Sequence, residues 1–151
     1  MSWRKPVLRD IAAKLNQKEL DEFRASPDFV SDADPVGDIL ELTAESVRGF
    51  CRSNKQLKMC PTAATIPEGL MTFAMDYAAF DILKRINIVP NEARKAAWEK
   101  AVDLFEKVAS GTFIPESWKD GEEEQDDTSA NRAFPHFTPQ LRHRVIDANF
   151  V

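Results

Sequence analysis

Residues 67–86 read "PEGLMTFAMDYAAFDILKRI", and this stretch decides the fold. Leu70, Met71, Phe73, Ala74, Met75, Tyr77, Ala78, Phe80, Ile82, Leu83 and Ile86 are apolar or aromatic, so almost no polar face is left. Pro67 suits the first turn of a helix, and the run is too long for a strand. The spacing predicts a helix over residues 67–87. A helix that is apolar on nearly all sides lies at the centre of a bundle or between subunits. Its methionines and aromatics are read as core packing rather than as a cofactor site.

The flanking segments predict the helices that would surround it. On the N-terminal side, a helix over about residues 36–52 places Leu40, Ala44, Val47 and Cys51 four, three and four residues apart. Ile39 and Phe50 widen this stripe into a core-facing surface. Arg48, Arg52 and Lys55 run along one side of its C-terminal end, where cations suit the helix dipole. They form either a solvated face or a partner-binding stripe. Further upstream, Leu8, Ile11, Ala12 and Leu15 fall at helical spacing, and Asn16 with Glu19 forms a capping box that opens "QKELDEFRA". That short helix buries Leu20 and Phe23, and "SPDFVSDADPVGD" after it is turn chemistry.

Downstream, Asn91 caps "EARKAAWEKAVDLFEKVAS", with Ala97, Ala101, Leu104 and Val108 inward and Gly111 as the stop. Phe113 and Trp118 are expected to fold back on the bundle. "LKMCPTAATIP" reads as an irregular connector between two helices. No stretch alternates cleanly and no Asn-Gly or Asp-Gly turn occurs, so strand signals are nearly absent. The expected fold is all-α, a bundle of four to five helices.

Charge divides the chain of 151 residues. Residues 1–119, the expected helical domain, carry 17 basic and 18 acidic side chains. Residues 120–131 form an acidic linker, with six acids before position 128 and no base. That composition buries too little surface to fold. Residues 132–151 differ again, with three Arg against Asp147 and a series of apolar anchors. Thr138-Pro139 opens a short amphipathic helix in which Leu141 and Val145 lie four residues apart. At about ten residues such a helix is marginal alone, and seated in a groove it becomes productive. Phe134, Phe137, Leu141, Arg142, Val145, Ile146 and Phe150 are the expected contacts of this docking arm; packing of the arm on its own body is the alternative.

Chemistry has few places to reside. Five Gly are scattered at turns and form no phosphate loop. Cys51 and Cys60, expected as a half-buried core thiol and a loop thiol, have no ligand partners at zinc-site spacing. Nucleophilic catalysis needs a base beside a Ser or Cys, and both His lie in residues 132–151, a tail that reads as flexible. The expectation is no enzyme, no cofactor and no metal. No apolar run approaches the roughly 20 residues that span a bilayer, and the start "MSWRKPVLRD" lacks a secretory apolar region. A cytoplasmic protein without membrane contact is expected. The near-balanced body gives no general attraction for nucleic-acid phosphates.

The order of elements is similar to that of the phage head–tail connector, or head-completion adaptor, family, including its Mu-like prophage version. The resemblance rests on "LRDIAAKLNQKELDEF", an Asp-rich turn, "VRGFCRSNKQLKMCP", "IPEGLMTFAMDYAAFDIL" and "AVDLFEKVASGTFIPE", and covers roughly residues 3–116. The run Val108-Ala109-Ser110-Gly111 matches the family's usual close of the last helix. Where the family carries an aromatic before the loop Pro, this chain has "LKMC". The resemblance implies a virion protein assembled in the host bacterial cytoplasm as a ring of about twelve copies. The ring sits beneath the portal, meets a tail-side stopper or terminator protein, and lets DNA pass without sequence-specific binding. The arm 132–151 would grip the portal. Subunit contacts are expected from Met71 and Met75, with the loop 53–66 and Arg48, Arg52 and Lys55. The alternatives are another helical phage assembly protein, such as a small terminase subunit, and a helical adaptor unrelated to phage.

Overall fold

A computed structural model describes residues 2–27 and 34–120. Its elements run β1 (Trp3–Arg4), α1 (Leu8–Ala12), α2 (Gln17–Arg24), α3 (Pro35–Ser53), β2 (Ile66–Pro67), α4 (Glu68–Arg85) and α5 (Glu92–Ser110). The protein is mostly helical, an α-helical bundle, with α4 packed against α1, α2, α3 and α5. The central place read from the sequence of residues 67–86 is where α4 lies. Leu70, Met71, Ala74, Met75, Ala78, Ala79, Ile82 and Leu83 are buried in it. Phe73, Tyr77 and Ile86 pack half-buried against the same core.

Helix boundaries follow local hydrogen-bonding chemistry. The Asn16 side chain accepts from Glu19 N–H at 2.8 Å, and Glu19 accepts from Asn16 N–H at 3.0 Å, which is the reciprocal cap expected. Asp34 caps α3 through Gly37 N–H at 3.0 Å. A Cβ at position 37 would meet that carboxylate at 2.2 Å, so the cap in this form requires glycine. Asn91 accepts from Arg94 N–H at 2.9 Å, and Gly111, at φ 81°, ends α5 in the left-handed region. Helix α4 ends by a device the sequence did not advertise. Asn87 turns left-handed at φ 57°, Asn87 N–H donates to Lys84 C=O, and Ile88 N–H donates to Leu83 C=O. This is the Schellman arrangement, with asparagine in the place usually held by glycine.

Two details correct the sequence reading. The irregular connector contains a strand: Trp3 pairs with Pro67 and Arg4 with Ile66 in an antiparallel two-stranded ribbon. Two-residue strands are too short to show alternation, and Ser2 C=O extends the contact by accepting from Glu68 N–H at 3.1 Å. The inner stripe of α5 is also rotated. Ala101, Phe105 and Val108 are buried, while Ala97 and Leu104 are only half-buried. Phe105 sets this rotation by stacking on Phe50 at 5.7 Å and meeting Tyr77 edge-on at 6.2 Å. Trp98 completes the seam by stacking on Phe80 at 4.7 Å.

Polar ties join the small N-terminal helices to the bundle. Arg94 donates two hydrogen bonds to the Glu19 carboxylate, at 2.7 and 3.1 Å, and holds it below its usual pKa. Lys14 reaches Asp76 of α4 at 2.9 Å. Burial alone would raise the Asp10 pKa. The Arg4 fork at 2.8 and 2.9 Å, the Val7 N–H and the charges of Arg4 and Arg9 outweigh it, and the net shift is downward.

Candidate docking and assembly surfaces

The residues expected to meet a partner divide into three groups. Arg48 of the stripe on α3 is buried, at 5% exposure, which corrects the expectation of a solvated face. Its guanidinium turns inward and donates to Thr65 C=O at 2.9 Å, to Thr65 Oγ1 at 3.0 Å and to Cys60 C=O at 3.0 Å. The same group lies 5.9 Å from the centre of the Trp3 ring, within reach of a cation–π attraction. Arg48 Nε is 3.6 Å from Glu45, close enough for charge attraction but without a hydrogen bond. Arg52 and Lys55 do stay exposed, and Arg52 pairs with Glu45 at 3.5 Å.

The second group is Met71 and Met75, at 5% and 1% exposure. The apolar surplus of α4 is thus largely taken up within one chain. Met71 and Met75 reach the floor of a surface cavity of about 530 Å³ that Arg4, Arg9, Asp10, Lys14 and Glu68 also line. The third group, Phe134, Phe137, Leu141, Arg142, Val145, Ile146 and Phe150, lies outside the described residues, as does most of the 120–131 linker.

Arg48 organises the connector that the sequence left as irregular. Peptide carbonyls buried in a loop have no ladder to join, and each needs a donor. A planar fork of fixed N–H groups supplies several at once. Glu45 assists by accepting from Ala64 N–H at 2.7 Å, which fixes Ala64 in a left-handed conformation, φ 59°, that alanine rarely adopts. Cys60 lies in the loop as expected and is buried there, and Cys51 in α3 is fully buried rather than half-buried. Burial pushes the Cys51 pKa up to about 11, against the opposing charge of Arg48, so this thiol keeps its proton near neutrality.

After α5 the chain is strapped back over the connector. Trp3 Nε1 donates to Glu116 C=O at 3.0 Å, and Trp118 N–H donates to Lys58 C=O at 2.9 Å. Lys58 N–H reaches Ser117 Oγ at 3.4 Å, and the Lys58 ammonium pairs with Asp120. Trp118 is buried as expected, whereas Phe113 stays 42% exposed beside exposed Ile114. The strap therefore fixes the point where the chain passes into residues 121–151. Among the described residues no group of three His, Cys, Asp or Glu is placed to hold a metal ion, and no helix is long and apolar enough to cross a membrane.

Sequence reasoning missed Leu42. It stands on α3 opposite the core stripe and is 58% exposed in a shallow groove with Asp38, Glu41 and Glu45. Its signal was present in the sequence as a single leucine among acids on the polar side of an amphipathic helix. No protein-family model, no curated protein and no solved structure matches this chain.

Proposed function

We propose that this protein is a structural assembly subunit, a head–tail connector that forms a ring beneath the portal of a tailed phage and extends the DNA channel toward the tail. The observation that carries the reading is where the polar side chains are used. Arg48, Glu45, Arg94, Glu19 and the Lys58–Asp120 pair all brace one helix or loop against another. A chain whose charged groups brace its own scaffold suits a part that bears load, and the strap at 113–120 delivers residues 132–151 from a fixed point. The resemblance of residues 3–116 to the connector family supplies the biological setting. In that setting the C-terminal segment attaches to portal, a tail-side protein caps the ring, and the virion is the final location.

The experiment is deletion of residues 128–151, with assembly followed on portal-bearing heads by electron microscopy and mass measurement. The full chain is expected to bind such heads as a ring, and the truncated chain to keep its helical content and lose attachment. Failure of the full chain to bind portal-bearing heads would overturn the connector reading. A melting temperature many degrees lower after truncation would overturn the docking-arm reading, because the segment would then belong to the fold.

A further inference from the structure

The surface of α3 turned away from the bundle carries a feature that the fold itself does not use. Asp38, Glu41, Leu42 and Glu45 fall at positions i, i+3, i+4 and i+7 of one helical face, around a groove of about 410 Å³. A second depression shares Asp38 and Glu41 and continues past Asp34, Lys5, Pro6 and Ala64. Glu45 is already engaged by Ala64 N–H and by the Arg48 and Arg52 cations. Among the described residues no cation pairs with Asp38 or Glu41, although Lys5 lines the same depression. The result is an exposed apolar residue, Leu42, beside two carboxylates, Asp38 and Glu41, that no cation among the described residues pairs with. A ligand that fits presents an apolar anchor flanked by cations.

The chain itself carries such a ligand. Residues 139–146 read "PQLRHRVI", with Leu141 and Val145 at helical spacing and Arg142 and Arg144 beside them. The eighteen residues from 121 to 138 lie between Asp120 and this segment and span at most about 59–65 Å when fully extended, so the tether does not confine the segment to its own copy. We infer that, before any portal is engaged, residues 139–146 of one copy seat on the α3 groove of the next. Leu141 and Val145 pack on Leu42, and Arg142 and Arg144 face Glu41 and Asp38. This inference rests on the assembly reading above and names the first partner of the C-terminal segment. Groove and segment are different surfaces, so the contact is head-to-tail and repeats around a ring if the rotation closes.

Sedimentation of the full-length protein, without portal, over a range of concentrations tests it. Self-association is expected, and Leu42→Glu or Glu41→Arg should each weaken it by about tenfold or more. Both positions are exposed, so helical content and melting should not move. The double variant Glu41→Arg with Arg142→Glu should recover association, which a general loss of solubility or fold would not do. A Leu42→Cys, Val145→Cys chain should form its oxidised link between copies. Three results overturn the inference: a wild-type chain that stays monomeric, association indifferent to Leu42→Glu and Glu41→Arg, or a link formed within a single chain. The connector reading fails separately, through loss of binding to portal-bearing heads by the full chain.

Discussion

Helix α4 and the connector that precedes it, residues 54–66, adjoin in the chain and are held by opposite means. Helix α4 satisfies its own backbone and is gripped by apolar contact from most directions, so its hold is distributed over many side chains. Apart from Ile66, which joins the short ribbon, the connector has no ladder and few large apolar groups beyond Leu57 and Met59. Its carbonyls at Cys60 and Thr65 converge on one guanidinium, that of Arg48. Distributed burial tolerates the loss of any one contact better than a loop whose polar groups share a single donor. The first kind of hold can be read as a pattern, and the second depends on one residue meeting carbonyls 12 and 17 positions away.

The largest expected effect breaks the first region. Met75→Glu puts a carboxylate where the methionine is 1% exposed, and the cations Arg4, Arg9 and Lys14 that line the adjoining cavity already have Asp10, Glu68 and Asp76 beside them. The cost should be several kcal/mol, enough to unfold a domain of ordinary stability. Loss of the cooperative thermal transition in circular dichroism is the expected result, and a variant that melts like the parent would mean that the site opens to water.

Arg48→Ala tests the second region, and the expected loss is about 3 kcal/mol, chiefly from carbonyls left without a donor. Hydrogen exchange should rise most in residues 58–66. Interior amides of α4 should keep their protection relative to the rest of the bundle. Arg48→Lys should recover only part of the loss, because one ammonium cannot copy the fork. Equal acceleration everywhere would remove the distinction between the two regions.

Smaller effects come from the exposed and half-buried ion pairs outside both regions. Glu19→Gln removes the charge that Arg94 grips and should cost about 1–2 kcal/mol near neutral pH. The pKa values of Glu19 and Asp10 are lowered in the folded protein from 4.5 and 3.8. Their stabilisation is therefore complete above those unfolded values and fades as pH falls through the lower folded values. Wild-type stability should drop on acidification below about pH 4.5, and Glu19→Gln should flatten part of that drop. The smallest effect is expected for Arg52→Ala, within about 0.5 kcal/mol, because its pair with Glu45 is exposed. A loss near that of Arg48→Ala would show that Arg52 also braces the connector.

The neighbouring arginines 48 and 52 show how much of the candidate surface was legible. Both stand near the end of α3 on the same side in a helical projection, and nothing in their local sequence separates them. One is buried and the other exposed because the chain returns over the first with residues 60–65. Leu42 presents the converse case. Its solitary place among acids could be read from sequence, yet a groove exists only where neighbouring side chains leave room.

The sequence by itself determined the helical class, the central place of α4 and most helix ends. Each depends on residues within a turn or two, through hydrophobic period or through capping by Asn16, Asn91 and Gly111. The tertiary structure alone decided the ribbon between Trp3–Arg4 and Ile66–Pro67, the burial of both cysteines, and the inward turn of Arg48. It also decided the strap that ties Trp118 to Lys58. These rest on pairings between residues 12 to 113 positions apart. Local periodicity carries no information about which distant carbonyl a donor will meet.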